Sequence, residues 1–220
     1  MDPRALFSLS YGVFVLATKD KDRKNGCITN TCIQVANEPT RIAISVINQN
    51  LTCEMIKQSK VFTISMLDKT TSYDTIKYYG MQSGRDVDKY FSDSVNLNGI
   101  EIPYLSWSVC SVIVAHVVEI HDLGSHTLFI AEVDDCFRLN DNEPLTYAYY
   151  QSNVKPKPEA PLSDKKIIGW RCKICGFEYE GEKLPDDYLC PLCGHDASDF
   201  EPIYEEWDAR ASFLFKFWFY

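Results

Sequence analysis

Four cysteines in the last third of the sequence are spaced as metal ligands. Two Cys-x-x-Cys-Gly turns, with 14 residues between them, supply Cys172, Cys175, Cys190 and Cys193. The glycine after each turn permits a left-handed backbone, which lets backbone amides face the sulfurs. Four thiolates complete the tetrahedral shell of one ion and leave no position for a substrate. Such a site supports a fold or carries an electron, and it excludes Lewis-acid catalysis at the metal.

The remaining composition narrows the class of protein. The other five cysteines are scattered, and the total of nine is odd, which is typical of a reduced intracellular protein and not of a disulfide framework. The first residues lack the features of a secretory signal, and no stretch reaches the roughly 20 apolar residues of a membrane span. The net charge of −9 argues against nucleic-acid and anionic-membrane partners. We therefore expect a cytoplasmic protein.

The sequence divides into two domains. Three prolines and few core-forming residues mark residues 152–167 as a linker. It separates a first domain over residues 1–151 from a small metal-binding domain over residues 168–204. Residues 205–220 form a tail that ends in apolar and aromatic side chains. Two interpretations of this tail stay open, namely packing on a hydrophobic face and an artefact of cloning or reading frame.

The first domain is predicted to be mainly β. Runs of β-branched and aromatic residues between turn residues predict strands at 11–18, 27–36, 41–48, 61–67, 110–123 and 126–133. The segment 22–26 fits a hairpin turn between the first two strands, and helices are predicted at 51–59 and 71–83. Short strands at this spacing favour a β-barrel over a parallel sheet.

Distinctive residues surround the four cysteines, namely Phe177 and Tyr179 after the first turn, the run LPDDYLCPLCG, and Phe200 within SDFEPI. These features give residues 168–203 a resemblance to a rubredoxin domain of the short type. It implies one iron ion, held by the four cysteines, that cycles between the ferric and ferrous states. The insert between the turns is shorter than in classical rubredoxins. A structural zinc ribbon therefore stays open, because four-sulfur sites suit both metals.

Small polar residues mark a second candidate site in the first domain. The sequence has no G-x-G-x-x-G motif, so a Rossmann nicotinamide site is unsupported. Residues 48–52 follow a buried strand and open a helix, and a helix N-terminus binds anions through its free amides. Asn48, Asn50 and Thr52 are therefore candidates to hold a phosphate.

Several short motifs follow one another along the first domain, from NGCITNTC through NQNLT and SGRDVDKY to LGSHTLFIAEV and PLTYAYY. Their order, over about residues 5–151, gives a resemblance to the flavin reductase-like, flavoredoxin-like FMN-binding split barrels. It implies an FMN-binding split β-barrel with a few helices, and a homodimer with FMN near the subunit interface. Many relatives have an aromatic residue where this chain has Thr31 and Cys32, so the resemblance does not supply a stacking partner for the ring.

The resemblance also implies roles for ten residues. Four would line the isoalloxazine or ribityl chain, four would hold the phosphate, one would reach the flavin or phosphate, and one would face the flavin and nicotinamide as the catalytic residue. In that order they are Thr29, Asn30, Thr31 and Cys32; Asn48, Asn50, Leu51 and Thr52; Lys89; and His126.

The two domains together resemble the high-molecular-weight rubredoxins of anaerobes. The resemblance implies that NADH or NADPH reduces FMN, that the flavin passes electrons singly to the iron, and that the iron reduces a redox protein such as a flavodiiron oxygen or nitric oxide reductase. Two alternatives stay open. One is a flavin reductase that releases reduced flavin, and the other is a protein-binding module with a structural zinc ribbon.

Overall fold

The computed structural model of the chain describes residue 5, residues 8–156 and residues 166–204. The chain separates into two compact units, with the boundary between residues 156 and 157. Most of the predicted linker and the whole of the predicted tail 205–220 lie outside the described residues. The start of the predicted linker is described. The helical turn Tyr150–Val154 includes the first three residues of that linker, 152–154.

The first unit is mainly β, which confirms the predicted fold class. Its elements in chain order are β1 (Phe14–Asp20), β2 (Arg23–Thr29), β3 (Cys32–Asn37), β4 (Thr40–Ile47), α1 (Leu51–Ser59), β5 (Val61–Leu67), α2 (Tyr73–Gly80), β6 (Asp93–Leu97), β7 (Ile100–Tyr104), β8 (Val109–Asp122), β9 (His126–Arg138), the short α3 (Tyr147–Tyr149) and a π-helical turn (Tyr150–Val154).

Seven of these strands form one antiparallel sheet in the order β2-β1-β5-β8-β9-β4-β3. The edges are β2 and β3, which follow each other in the chain. The prediction of a single strand over 27–36 was wrong, since the chain leaves one edge at Thr29 and enters the other at Cys32. Strand propensity is high on both sides of this break. The change of strand is decided by which neighbours the two segments pair with.

The first hairpin turn also differs from the prediction. Lys21 and Asp22 form it, with Lys21 at a φ of 53°, whereas the sequence favoured 22–26. Asn25 and Gly26 lie instead within β2, where they pair with β1. A Cβ on Gly26 would come within 2.6 Å of Leu16 O. The glycine is therefore used for a close approach of two strands and not for a turn.

The strand β1 is buried on both faces. Val15 and Ala17 pack with Tyr79 of α2 in one hydrophobic cluster, while Leu16 packs with Ile56 of α1 in a second cluster on the opposite face. This explains why the β1 sequence shows a continuous apolar run in place of alternation. The two helices are thereby fixed on either side of the sheet, and α1 presents its N-terminus beside β2.

The second unit is a small antiparallel sheet of three strands. Its elements are β10 (Ile167–Cys172), β11 (Glu178–Glu180) and β12 (Phe200–Tyr204), in the order β11-β10-β12, with one 3-10 turn (Ala197–Asp199) before β12. The metal-ligand turns follow β10 and precede that 3-10 turn. Among the described residues of both units, none belongs to a helix long and apolar enough to cross a membrane.

Candidate functional site

The four cysteine sulfurs of the second unit converge on one point. Their Sγ atoms all lie within 4.8 Å of one another. Cys172 and Cys193 are separated by 3.7 Å, and Cys175 and Cys190 by 3.3 Å. An ion with metal–sulfur bonds of about 2.3 Å holds tetrahedral sulfurs about 3.8 Å apart. The donor set therefore fits a single tetrahedral ion.

Backbone amides support these sulfurs. Each turn closes with a glycine amide that donates to the first cysteine carbonyl, from Gly176 to Cys172 O at 2.9 Å and from Gly194 to Cys190 O at 2.8 Å. Both glycines have positive φ, 77° and 72°. The amides of Ile174 and Cys175 then donate to the sulfur of Cys172. This is the arrangement that the glycines predict, and it stabilises negative charge on sulfur.

The thiols differ in their tendency to ionise. The hydrogen bond with Cys193 lowers the pKa of Cys172 to about 5. The same hydrogen bond, together with burial, raises the pKa of Cys193, and burial raises the pKa of Cys175 to about 12. A cation bound here would hold all four sulfurs as thiolates.

The metal site is sealed on one side and open on the other. Cys172 and Cys190 are buried, whereas Cys175 and Cys193 are half-buried. Aromatic rings close the buried side, with Tyr188 in edge contact with both Tyr179 and Phe200. The second cysteine of each turn therefore faces outward.

In the first unit, the N-terminus of α1 is organised by side chains. Asn50 is the N-cap, and its Oδ1 accepts from the amide of Thr52 at 3.1 Å. Thr52 is fully buried, and its hydroxyl accepts from Asn25 Nδ2 at 3.0 Å. Leu51 is buried at the first helical position. The predicted residues Asn50, Leu51 and Thr52 thus lie together at the positive end of the helix dipole.

One face of β2 leads to the same helix end. Asn25, Cys27 and Thr29 alternate along the strand, and all three are buried. The Cys27 thiol contacts both Thr52 and Asn50. Thr29 lies one strand repeat, about 6.6 Å, farther along this face. Thr29 therefore lies on the same face of β2 as the two residues that contact the α1 N-terminus, one strand repeat beyond Cys27.

The predicted ring-lining residues continue from Thr29 into the β2–β3 connection. The Thr29 hydroxyl accepts from the amide of Thr31 at 3.3 Å, and the Thr31 hydroxyl donates to Asn30 Oδ1 at 3.1 Å. Burial raises the pKa of the Cys32 thiol to about 12. This shift favours the neutral thiol form of Cys32 at physiological pH.

Lys89 is buried between β2 and α2. Its ammonium is buried and donates to Gly26 O and Tyr79 O, both at 2.8 Å. Burial lowers the pKa of Lys89, while the neighbouring Cys27 opposes this shift. Its hydrogen bonds join β2 to α2. The positive charge stays beside β2, but both described bonds go to carbonyls.

Asn48 and His126 lie at the C-terminal end of β4. Ile47 pairs with His126 in the sheet, and His126 Nδ1 lies 2.8 Å from Ser125 Oγ. The Asn48 side chain donates to Gly124 O at 2.7 Å. The Asn48 side chain therefore bonds to the β8–β9 hairpin and takes no part in the capping bonds of Asn50 and Thr52, although its Oδ1 also lies 3.9 Å from Cys53 Sγ of α1.

Asn25 is a residue of this region to which the sequence assigns no role. Its Oδ1 is buried and has no hydrogen-bond partner among the described residues. Gly84 covers it so closely that a Cβ at position 84 would lie 2.0 Å from this oxygen. Arg85 on the same loop pairs with Glu54 of α1. The only signal in the sequence is the alternation of Asn25 with Cys27 and Thr29, because the contact with residue 84 joins distant parts of the chain.

Comparison with known families matches both units. A family described as the flavin reductase like domain matches residues 6–157, which is more than half of the chain. The chain belongs to the flavin reductase-like family. A second family, described as the rubrerythrin, rubredoxin-like domain, matches residues 170–201. The flavin reductase-like domain is therefore followed by a rubredoxin-like domain that contains the four-cysteine site.

Two relatives extend this comparison. The high molecular weight rubredoxin of Moorella thermoacetica is 32% identical over 92% of this chain and the whole of that protein. The ferric-chelate reductase (NAD(P)H) of Archaeoglobus fulgidus is 32% identical over 71% of this chain and 93% of that protein. Both relatives support electron transfer by an oxidoreductase of this family.

Solved structures support the fold of the flavin reductase-like domain. The NADH:FAD oxidoreductase SgcE6 of Streptomyces globisporus has a TM-score of 0.58 and 19% identity over 73% of this chain and 92% of that chain. Flavin reductase PheA2 has a TM-score of 0.53 and 24% identity over 66% of this chain and 93% of that chain. At these identities the likeness concerns the fold alone.

Proposed function

We propose that this protein is an NAD(P)H-dependent flavin/rubredoxin oxidoreductase. It takes electron pairs from NADH or NADPH with FMN in the first domain and delivers them singly, through iron held by four cysteines, to a redox protein. The observation that carries the proposal is the closed four-sulfur site on the same chain as a flavin reductase-like domain. A site without an open position does not bind substrate, so in an oxidoreductase its proposed contribution, apart from support of the fold, is to carry an electron.

The first domain would bind FMN with the residues already described. The N-terminus of α1, from Asn50 to Thr52, would hold the phosphate with its amides. Thr29 and Cys32, with the residues between them, would line the ring and ribityl chain, and His126 would face the nicotinamide. Bound FMN supplies the conversion between hydride pairs and single electrons, a chemistry that belongs to the cofactor.

The rubredoxin-like domain would hold iron in preference to structural zinc. The same four cysteines would bind the iron in both oxidation states, so the transfer of an electron would change only the charge of the site. Amides from residues such as Ile174 stabilise the more negative, reduced site. Electrons would pass to the partner protein at the half-buried Cys175 and Cys193, together with Leu192, which is 39% exposed.

Several features of the assembly belong to the same proposal. A flavodiiron oxygen or nitric oxide reductase is the proposed electron acceptor, and the cytoplasm is the proposed location. We further propose a homodimer. It is supported by the apolar residues Ile33 and Val35, which are 57% and 48% exposed on the edge strand β3, because an exposed apolar edge strand favours pairing with another chain.

Anaerobic absorption spectroscopy of the purified protein tests the proposal. We expect one iron and one FMN per chain, and NADH or NADPH should bleach both the flavin and the ferric–thiolate bands. Cys172→Ser should abolish the iron bands and leave flavin reduction unchanged. Cys136→Ser is the matched control, because Cys136 is exposed and lies outside the four-cysteine site. Iron that stays oxidised beside fully reduced flavin would contradict the proposal.

A second candidate function is reduction of a ferric chelate or of free flavin by the first domain alone. It is favoured by the ferric-chelate reductase, which aligns with 71% of this chain. In this case Cys172→Ser would retain the full rate of chelate reduction. Zinc in place of iron in the purified protein would point to the same function.

A further inference from the structure

The side chain of Asn48 fastens the end of β4 to the β8–β9 hairpin. Its Nδ2 donates to Gly124 O at 2.7 Å and to Asp122 Oδ1 at 3.2 Å. Its Oδ1 accepts from the hydroxyl of Thr127, a residue that is fully buried. The backbone amide of Asn48 donates to Ser125 O at 3.0 Å. One asparagine therefore bonds to four positions of the six-residue segment 122–127.

The segment that Asn48 holds contains His126. This histidine is the first residue of β9 and pairs with Ile47, the neighbour of Asn48. The hairpin itself closes through Leu123 N to His126 O at 2.8 Å. Because Asn48 and Asn50 lie on the same short connection between β4 and α1, the hairpin and the helix N-terminus are fixed to a common piece of backbone.

We infer that Asn48 is a positioning residue that holds the His126 hairpin in register for the nicotinamide, and that it is not a ligand of the flavin phosphate. The sequence groups Asn48 with the phosphate-binding residues because of its spacing to Asn50 and Thr52. In the structure its amide and carbonyl groups are both engaged by the hairpin, whereas Asn50 and Thr52 bond to each other and to β2. The nicotinamide part of this inference rests on the proposed function.

The neighbouring carboxylate of Asp122 favours an asparagine over an aspartate at position 48. Asn48 Nδ2 lies 3.2 Å from a carboxylate oxygen of Asp122, so a carboxylate at position 48 would replace attraction with repulsion. Asp122 also accepts from the amide of Gly124 at 2.8 Å. The double variant Asn48→Asp/Asp122→Asn restores a donor and an acceptor across this contact and retains an acceptor for Thr127, but it leaves Gly124 O without the donor that Asn48 Nδ2 supplies.

The test compares Asn48→Ala, Asn48→Asp and the exchanged double variant with wild type. Hydrogen exchange of peptides that cover residues 122–127 requires neither flavin nor nicotinamide. Loss of the three side-chain bonds should accelerate exchange there by about tenfold. The affinity for FMN should stay within about twofold of wild type, while the KM for the nicotinamide rises about tenfold. The exchanged variant should recover part of both losses relative to Asn48→Asp, because it removes the repulsion with Asp122 but does not restore the bond to Gly124 O. Gln49→Ala, at an exposed neighbouring position, should resemble wild type.

Each outcome decides one of the two proposals. A tenfold loss of FMN affinity with unchanged hairpin exchange would overturn the role of Asn48 and make it a phosphate ligand. Equal losses in Asn48→Asp and in the exchanged variant would also overturn it. If wild type oxidises neither NADH nor NADPH, the proposed function fails, and hydrogen exchange alone then decides whether Asn48 holds the hairpin.

Discussion

The Sγ atoms of Cys172 and Cys193 lie 3.7 Å apart, although the residues belong to different turns and stand 21 positions apart in the chain. Cys172 ends β10, whereas Cys193 precedes the glycine that closes the second turn. One ion bound at this point would join both turns. We expect such a metal to contribute to the folding of the small domain as well as to the proposed electron transfer.

Substitution of the metal should separate these two contributions. Zinc in place of iron should preserve the resistance of the second domain to proteolysis, because both metals suit a four-sulfur site, yet it should remove all metal-centred absorption changes. Cys190→Ser removes a buried ligand and should increase cleavage within residues 166–204 by tenfold or more. Limited proteolysis read by mass spectrometry measures this. Wild-type resistance in Cys190→Ser would show that the metal has no role in folding.

Removal of the Lys89 ammonium should destabilise the first domain. Lys89→Met leaves the buried carbonyls of Gly26 and Tyr79 without their described donor, which should cost about 2–4 kcal/mol in the free energy of unfolding. Urea denaturation followed by circular dichroism measures this loss. Lys24→Met is the control, since Lys24 is exposed on the same strand. Similar midpoints for the two variants would contradict a structural role for Lys89.

A methyl group at position 84 should disturb the loop over Asn25. In Gly84→Ala the new Cβ would meet Asn25 Oδ1 at 2.0 Å, so the loop must move, at a cost of about 1–3 kcal/mol. Asn25→Ser in the same chain removes the obstructing oxygen and should recover part of the loss. Gln82→Ala, at an exposed position of this loop, should have no effect. Thermal denaturation of the four proteins tests the contact, and no recovery in the double variant would reject it.

Asp68 should contribute to acid sensitivity. Burial raises its pKa, but hydrogen bonds from Thr70 and Asn142 outweigh this, and the pKa lies below its ordinary value of 3.8. Its folded-state pKa is therefore lower than its unfolded-state pKa. The stability it contributes is fully present above about pH 4 and is lost as the pH falls through the folded-state value.

The variant Asp68→Asn tests this expectation. It should be less stable than wild type at pH 7 by about 1–2 kcal/mol, and the difference should shrink as the pH falls toward 3. Urea denaturation of both proteins across this range gives the difference at each pH. Asp135→Asn, at an exposed position, should follow the wild-type curve. A difference that stays constant with pH would exclude this role for Asp68.

The sequence by itself determined the features that depend on local spacing. Cys172 and Cys175 lie within a single turn, so their spacing already fixes that both sulfurs can point to one ion. The strand Val61–Leu67 and the helix Leu51–Ser59 have the predicted bounds, because local propensity and sheet pairing agree there. The presence of a flavin reductase-like and a rubredoxin-like domain was likewise indicated by the sequence, and both families match the chain, whereas the predicted domain bounds stay a prediction.

The tertiary structure alone decided which distant residues meet. The burial of the Lys89 ammonium against Gly26, 63 positions away, and the attachment of Asn48 to the hairpin at Gly124, 76 positions away, have no local signature. Both are polar side chains whose partners are set by the order in which strands pair. A lysine or asparagine has the same appearance in a sequence whether it binds a ligand or a distant carbonyl, because only the fold determines which acceptor comes within hydrogen-bonding distance.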